Sequence, residues 1–405
     1  MDGATPARVA GLDWASRLHM VCVLDPDGQV RARFQVPHTG KDLRGLTRRL
    51  AKLAVGRVAI ERPDGPVVQA LLDAGFEVVV LPSRQVKHLR GRYGSAGNKD
   101  DRFDAYVLAD VLRTDGHRLH PLRPDSPETA GLRAVSRARK QLVDQRVALA
   151  NQLRANLEVA FPGAAGLFAE VDSPIALRFL AQFPSAERAA WLTQARLGGF
   201  LRRVGYCGRV PTAELYQRLV HAPAGLQGSH GDACAAVTLS LVATLRAVRA
   251  QIEELDGEIL ERLAAHADGH IFTSLPRSGR VRAAALLAEI GDCRQRFPDP
   301  TALECLSGAA PSTRQSGTHT TVTFRFACDK KLRQAVMDFA GDSRHANPWA
   351  AHLYNQARAR GHRHPHAVRI LARAWLRVIW RCWQDGTAYD PARHGAYQRL
   401  IAKEA

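Results

Sequence analysis

The chain has 405 residues, enough for two or three domains with sizeable cores. Its 57 lysines and arginines outnumber 39 acids, a net charge of +18, which points to a polyanionic partner rather than to an ordinary small-molecule enzyme. The 7 cysteines are scattered without a Cys-x-x-Cys pair, which argues against a disulfide framework or a zinc knuckle, and neither a leader-like start nor about 18 consecutive apolar residues is found, so the expectation is a soluble, cytoplasmic protein with no membrane partner.

The stretch Val9-Ala-Gly-Leu-Asp-Trp-Ala-Ser16 reads as a first strand that carries Asp13 at its end. Residues 19–24 and 30–36 read as two more strands, joined at the turn signal Asp25-Pro-Asp-Gly28, and complete an antiparallel meander. A helix over 41–53 follows, with Leu43, Leu46, Leu50 and Leu53 on one face. Arg57-Val-Ala-Ile-Glu61 is then a fourth strand ending in a second acid, before a helix over 67–74 and a fifth strand over 76–81. Three strands, helix, strand, helix, strand is the order of a ribonuclease-H-type fold, in which the first and fourth strands pair; Asp13 and Glu61 then become neighbours.

Just past the fifth strand, Arg84, Lys87, Arg90 and Arg92 form a basic segment, either the end of a solvated helix or a phosphate contact beside the acids. Lys99-Asp-Asp-Arg-Phe-Asp-Ala105 starts a helix on which Asp101 and Asp104 share a face; Asp100 and Asp104 would share one equally well. Two acids in a first turn alone would only complement the helix dipole. Together with Asp13 and Glu61 they make an all-oxygen donor set of the kind Mg²⁺ prefers, and two such ions about 4 Å apart would clamp the attacking and leaving oxygens of a phosphodiester.

From residue 127 a long polar helix to about 161 carries Leu132, Val135, Leu142, Leu149 and Leu153 at heptad-like positions. A second run carries Leu241, Leu245, Val248, Ile252, Leu255 and Ile259. These two bracket about 70 residues of short helices and loops, and suggest an antiparallel coiled coil, within the chain or between chains, or else two amphipathic helices of one bundle.

Residues 275–291, a Pro/Gly turn running into an Ala-rich helix, resemble the hairpin of helix-hairpin-helix DNA binders. Ser316-Gly317 follows an Arg-rich turn; no histidine or aspartate stands where a hydrolase triad would need it. Lys330, Lys331 and Arg333 open a helix with cations where the dipole disfavours them, an arrangement that a polyanion would offset. Arg369, Arg373, Arg377 and Arg381 recur every four residues as a basic stripe, and His362, His364 and His366 read as a basic loop rather than a metal site.

The order and spacing of Gly11-Leu-Asp-Trp-Ala, Ile60-Glu, Lys99-Asp-Asp-Arg-Phe-Asp-Ala105, the 275–291 hairpin and Gln315-Ser-Gly317 resemble the DEDD transposases of bacterial insertion sequences. This group includes the Piv-type DNA invertases and the bridge-RNA-guided recombinases, and the resemblance spans about residue 8 to 385. It implies an α/β plus α architecture: a RuvC-like catalytic domain over 1–125, a coiled-coil and helical insert over 126–267, a mainly helical C-terminal transposase domain over 268–385, and a tail. Carried over by position, it implies that Asp13, Glu61, Asp101 and Asp104 bind Mg²⁺, with Arg102-Phe-Asp-Ala in register behind Asp101, and that Ser316 becomes joined to a DNA phosphate. It further implies donor and target DNA as substrates, a noncoding guide RNA, and a dimer or tetramer whose subunits share the site. Arg84, Lys87, Arg90, Arg92, Lys99, Lys330, Lys331, Arg333, Arg369, Arg373 and Arg377 are the expected nucleic-acid contacts. A junction-resolving nuclease would need the acids but not Ser316, and a nonenzymatic scaffold would need neither.

Overall fold

The structure is a computed structural model that describes residues 8–93 and 100–404. The chain divides into two compact units between Pro124 and Asp125.

The first unit is built on a five-stranded sheet. Strands β1 (Arg8–Asp13), β2 (Leu18–Leu24) and β3 (Val30–Pro37) form the expected antiparallel meander, and β4 (Val55–Ile60) and β5 (Glu77–Val80) extend the sheet in parallel beyond β1. The order is β3-β2-β1-β4-β5, so the first and fourth strands do pair. Helices α1 (Gly40–Lys52) and α2 (Pro66–Asp73) bury Leu43, Leu46, Leu50, Val67 and Leu71 against Ala10, Leu12, Val21, Val58 and Ile60 on one face. On the other face α3 (Ser83–Leu89) and α4 (Asp101–Asp115) bury Val86, Ala105, Leu108 and Leu112 against Val9, Cys22, Ala59 and Val79. With helices on both sides, β1 and β4 read as nearly continuous apolar runs, while the edge strand β3 alternates.

Gly11 shows why β1 needs a residue without a side chain. A Cβ there would lie 2.1 Å from the Ala105 carbonyl oxygen and 2.4 Å from the Ala109 nitrogen, so the α4 backbone rests directly on the strand.

In the second unit α5 (Pro127–Ala160) and α11 (Gly228–Ala265) are the two long helices anticipated from the sequence. They run antiparallel within the chain: Thr129 meets His266, Arg139 meets Asp256, and Asn156 meets Thr238. Leu245, Ile252 and Ile259, seven residues apart, are buried. By length and composition α11 is apolar enough to cross a membrane, although its apolar residues are interrupted by polar ones and its buried positions recur along one side as in a core helix.

Between them lie α6 (Pro162–Ala165), α7 (Pro174–Gln182), α8 (Ala186–Ala189), α9 (Gln194–Arg203) and α10 (Thr212–Val220), which enclose Phe179, Phe183 and Phe200 with Leu153, Leu157 and Leu245 of the long helices. Beyond α11 come α12 (Gly269–Thr273), α13 (Gly279–Ile290), α14 (Pro300–Leu306), the hairpin β6 (Ser312–Ser316) and β7 (His319–Thr323), then α15 (Lys330–Ser343), α16 (Pro348–Ala359), α17 (His364–Asp385) and α18 (Gly395–Glu404). Trp375 is the centre of this core: it packs on Phe339 and Trp349, and its indole N–H donates to Ser343 Oγ at 2.8 Å. His364 and His366, expected in a loop, instead open α17, because Pro365 suits a first helical turn.

Candidate active site

Strand alternation fixes which side of the sheet the first two acids face. Val9 belongs to the cluster under α4, whereas Ala10 and Leu12 belong to the cluster under α1 and α2, so Asp13 is on the α4 side. In β4 Ala59 is on the α4 side and Ile60 on the other, which places Glu61 on the α4 side as well. Leu12 pairs with Ile60 in the parallel ladder. Asp13 and Glu61 therefore follow directly on neighbouring strands.

The direction of α4 brings the other two acids to the same end. Its middle crosses β1 at Gly11, and near its C-terminus Arg113 donates to the Pro26 carbonyl at 3.3 Å, close to where Leu24 pairs with Val9. The amino end of α4, with Asp101 and Asp104, thus lies toward the carboxyl ends of β1 and β4.

The acids differ in environment. Asp13 and Glu61 are half-buried and Asp101 is exposed, but Asp104 is 2% exposed. Asp100 is the N-cap of α4, its carboxylate accepting from the Arg102 amide at 3.0 Å, so this side chain already has a structural task. Asp104 Oδ2 accepts from Arg90 Nη2 at 2.5 Å, while its Oδ1 is buried with no hydrogen-bond partner among the described residues. Arg90 Nε is likewise buried and unpartnered.

A buried carboxylate oxygen without a donor suits a cation, and the donor set is all oxygen. Yet among the described residues no three acid, histidine or cysteine side chains converge as ligands of a common ion. In this arrangement the positive charge beside Asp104 is a guanidinium, so the four expected ligands share one end of the sheet without forming a complete metal cage.

The chain leaving Asp13 is held by contacts that the sequence reading missed. The Ala15 amide donates to His19 Nδ1 at 3.3 Å, and His19 Nε2 lies 2.8 Å from His38 Nδ1. Burial, and the neighbouring His38, lower the His19 pKa to about 4, so His19 is neutral at ordinary pH. Trp14 packs near both rings, with the Arg62 guanidinium 4.4 Å from its ring centre. The partners are far apart in sequence and carry no local motif.

Of the basic residues expected near the acids, Arg84 and Lys87 are exposed on α3. Arg90 is turned to Asp104, and Arg92 bonds Asp115 at 2.8 Å. Lys99 lies outside the described residues.

In the second unit Ser316 ends β6 and pairs with His319 across the two-residue loop Gly317-Thr318, where Gly317 has φ +56°. It stands exposed at the tip of the hairpin. Lys330 and Lys331 are exposed at the start of α15, where the Asp329 side chain accepts from the Lys331 and Leu332 amides. Arg333 and Arg369 both stack on Phe324, at 4.4 and 4.2 Å. Arg373 and Arg377 direct their Nε atoms to the fully buried Glu304, at 2.5 and 2.7 Å. Two members of the basic stripe are therefore engaged by a core carboxylate, although their side chains remain 41% and 59% exposed.

Comparison with known proteins adds to this geometry. Residues 10–162 match a transposase model of the DEDD type for IS110, and residues 269–355 match the model described as transposase IS116/IS110/IS902 family. The mini-circle putative transposase for IS117 of Streptomyces coelicolor is 32% identical over 397 residues, 95% of each chain. An insertion element IS900 protein of 42 kDa from Mycobacterium paratuberculosis is 30% identical over 402 residues, covering 95% of this chain and 97% of that one. An insertion element IS110 protein of 43.6 kDa from Streptomyces coelicolor is 28% identical over 389 residues, covering 94% and 95%.

Proposed function

We propose that this chain, which belongs to the IS116/IS110/IS902 family of transposases, cuts and rejoins donor and target DNA through a serine–phosphate intermediate, with Mg²⁺ as cofactor and a noncoding RNA as guide. The observation that carries this reading is the arrival of Asp13, Glu61, Asp101 and Asp104 at one end of the sheet, with a buried, unpartnered oxygen on Asp104. The strand order β3-β2-β1-β4-β5 supports a RuvC-like, ribonuclease-H-type domain.

A divalent ion held by these four carboxylates would neutralise charge on the scissile phosphate and make a nearby hydroxyl more acidic. Ser316 is the nucleophile in this scheme. Its Oγ–P bond forms as the bond from phosphorus to the departing sugar oxygen breaks; the serine proton passes to solvent, and the sugar oxygen takes one up. Rejoining reverses the exchange, a sugar hydroxyl of the new strand displacing Ser316 Oγ. One phosphoester replaces another at each step, so strands are exchanged without net hydrolysis.

The net charge of +18 supports nucleic acid as partner; a homo-oligomer whose subunits share the site belongs to the same proposal. The test is to incubate the protein and its copurifying RNA with donor and target DNA and Mg²⁺, then run a denaturing gel. A protein–DNA adduct that is lost in Ser316→Ala and in Asp13→Ala, with DNA binding retained, is the expected result. Cleavage without an adduct, equal in Ser316→Ala, would replace this reading with that of a metal-dependent junction-resolving endonuclease.

A further inference from the structure

The second unit contains a cavity of about 830 Å³ walled by α5, the turn into α13, and α15. Two hydroxyls on different walls of this cavity lack partners among the described residues. Ser278, 1% exposed, stands at the N-cap of α13, yet its backbone is helical (φ −59°, ψ −36°) and its side chain makes no capping bond. Its Oγ is buried without any hydrogen bond, and so is Oγ of Ser136 on α5. A buried hydroxyl left unpaired costs about 1–3 kcal/mol, and two beside one cavity indicate that the cavity accepts something polar.

The charge around them says what kind of group. The deeper cations are occupied: Arg137 bonds both oxygens of Glu289, at 2.8 and 2.6 Å, and Arg282 bonds Asp342 at 2.8 Å; of the other acids on the lining, Asp144 pairs with Lys140, and burial pushes the Asp338 carboxyl above its usual range, toward the neutral form. Arg280 and Lys331, by contrast, line the cavity with exposed side chains that form no ion pair among the described residues. The uncapped amino end of the 12-residue α13 adds its dipole to theirs. Ile259, Val281 and Ala335 line the same space, leaving room for a sugar or base beside an anion.

We infer that this cavity holds a backbone phosphate of a nucleic-acid strand, taken by the Ser136 and Ser278 hydroxyls, the first amides of α13, and Arg280 and Lys331. This rests on the nucleic-acid reading proposed above and adds Ser136, Ser278 and Arg280 to Lys331, already an expected contact. DNA and RNA offer the same phosphate, so the probe decides between them.

The experiment measures binding of fluorescein-labelled single-stranded DNA, and of RNA of the same sequence, to the full chain by anisotropy over a salt series. Ser278→Ala and Ser136→Ala should each weaken binding about tenfold, as loss of a hydrogen bond to a charged group does. Lys331→Gln should also lower the slope of log affinity against log salt by about 0.7. Because Ser136 and Ser278 lie on separate helices, a local folding defect in one would not explain a loss in both, and the melting temperature of each variant checks this directly. A loss confined to one probe assigns the site to that nucleic acid; a loss with both assigns it to the shared phosphate. Wild-type affinity for both probes in both serine variants would overturn the inference while leaving the family reading intact. If the wild-type chain bound neither probe, the nucleic-acid reading itself would fall, and this site with it.

Discussion

Arg90 and Asp104 form an ion pair in which one carboxylate oxygen is bonded and the other is buried without a partner among the described residues. Removing the guanidinium leaves a buried negative charge uncompensated, which costs about 3 kcal/mol or more. Arg90→Ala should therefore lower the melting temperature markedly in buffer containing a chelator. If the acid centre takes a divalent ion, Mg²⁺ at about 100 times its dissociation constant should restore roughly 2.7 kcal/mol, since it binds the native state alone. Calorimetry with and without Mg²⁺ reads both effects, and an equal loss in the two conditions would mean that no ion binds at Asp104.

The contact at Gly11 gives a prediction that separates geometry from charge. Gly11→Ala adds no polarity, but its Cβ would meet the Ala105 carbonyl and the Ala109 amide, neither of which can turn aside. Strand and helix must part by roughly an ångström, which moves Asp13 relative to Asp104. We expect a loss of about 2–4 kcal/mol in stability and the abolition of strand cleavage, with nucleic-acid affinity changed less than twofold. Cleavage at the wild-type rate would show that the acids tolerate displacement.

How far these relationships could be read in the sequence depends on their range. Strands β1 to β5 are legible because apolar runs, Asp25-Pro-Asp-Gly28 and Glu61-Arg-Pro-Asp-Gly65 mark them locally. The hairpin β6–β7 is not: both strands of Ser312–Thr323 lie on the surface, so no buried face imposes alternation, and Ser316-Gly317 reads only as a turn. The pairs Arg90–Asp104, His19–His38 and Glu304–Arg373 are likewise invisible, since each joins residues 14, 19 and 69 positions apart through tertiary packing. For the same reason Arg373 and Arg377 read as a solvent-facing stripe when their partner is a core glutamate.

That glutamate divides the basic residues of the second unit into two experimental classes. Replacing both Arg373 and Arg377 by alanine strands Glu304 in the core, and should cost about 3–5 kcal/mol. Lys330→Ala removes an exposed cation with no such partner, and should leave stability within about 0.5 kcal/mol. On DNA the order reverses in kind: Lys330→Ala should reduce the salt slope by about 0.9 if it meets one duplex phosphate. Urea midpoints and a salt titration of affinity check the two classes, and a stable Arg373/Arg377 double alanine variant would show that Glu304 is protonated or hydrated without them.

The neutral His19 beside Asp13 predicts an acid limit to the first unit. The His19 pKa falls from its ordinary 6.5 to about 4 because burial disfavours its charged form, and His38 adds to this. Between those values the unfolded chain binds the proton and the folded chain does not, so stability rises with pH across this window and is lost as pH falls from 6.5 toward 4. The histidine contribution should be on the order of 3 kcal/mol. His19→Gln keeps an acceptor for the Ala15 amide but cannot titrate, so its urea midpoint should decline less steeply below about pH 6 than that of the wild type. Because the same imidazole fixes the turn that follows Asp13, strand cleavage should fail as pH approaches about 4, where the folded imidazole itself takes the proton, and before nucleic-acid binding does. Parallel pH curves for the variant and the wild type would show that His19 is charged in the folded protein and that the turn is held by other contacts.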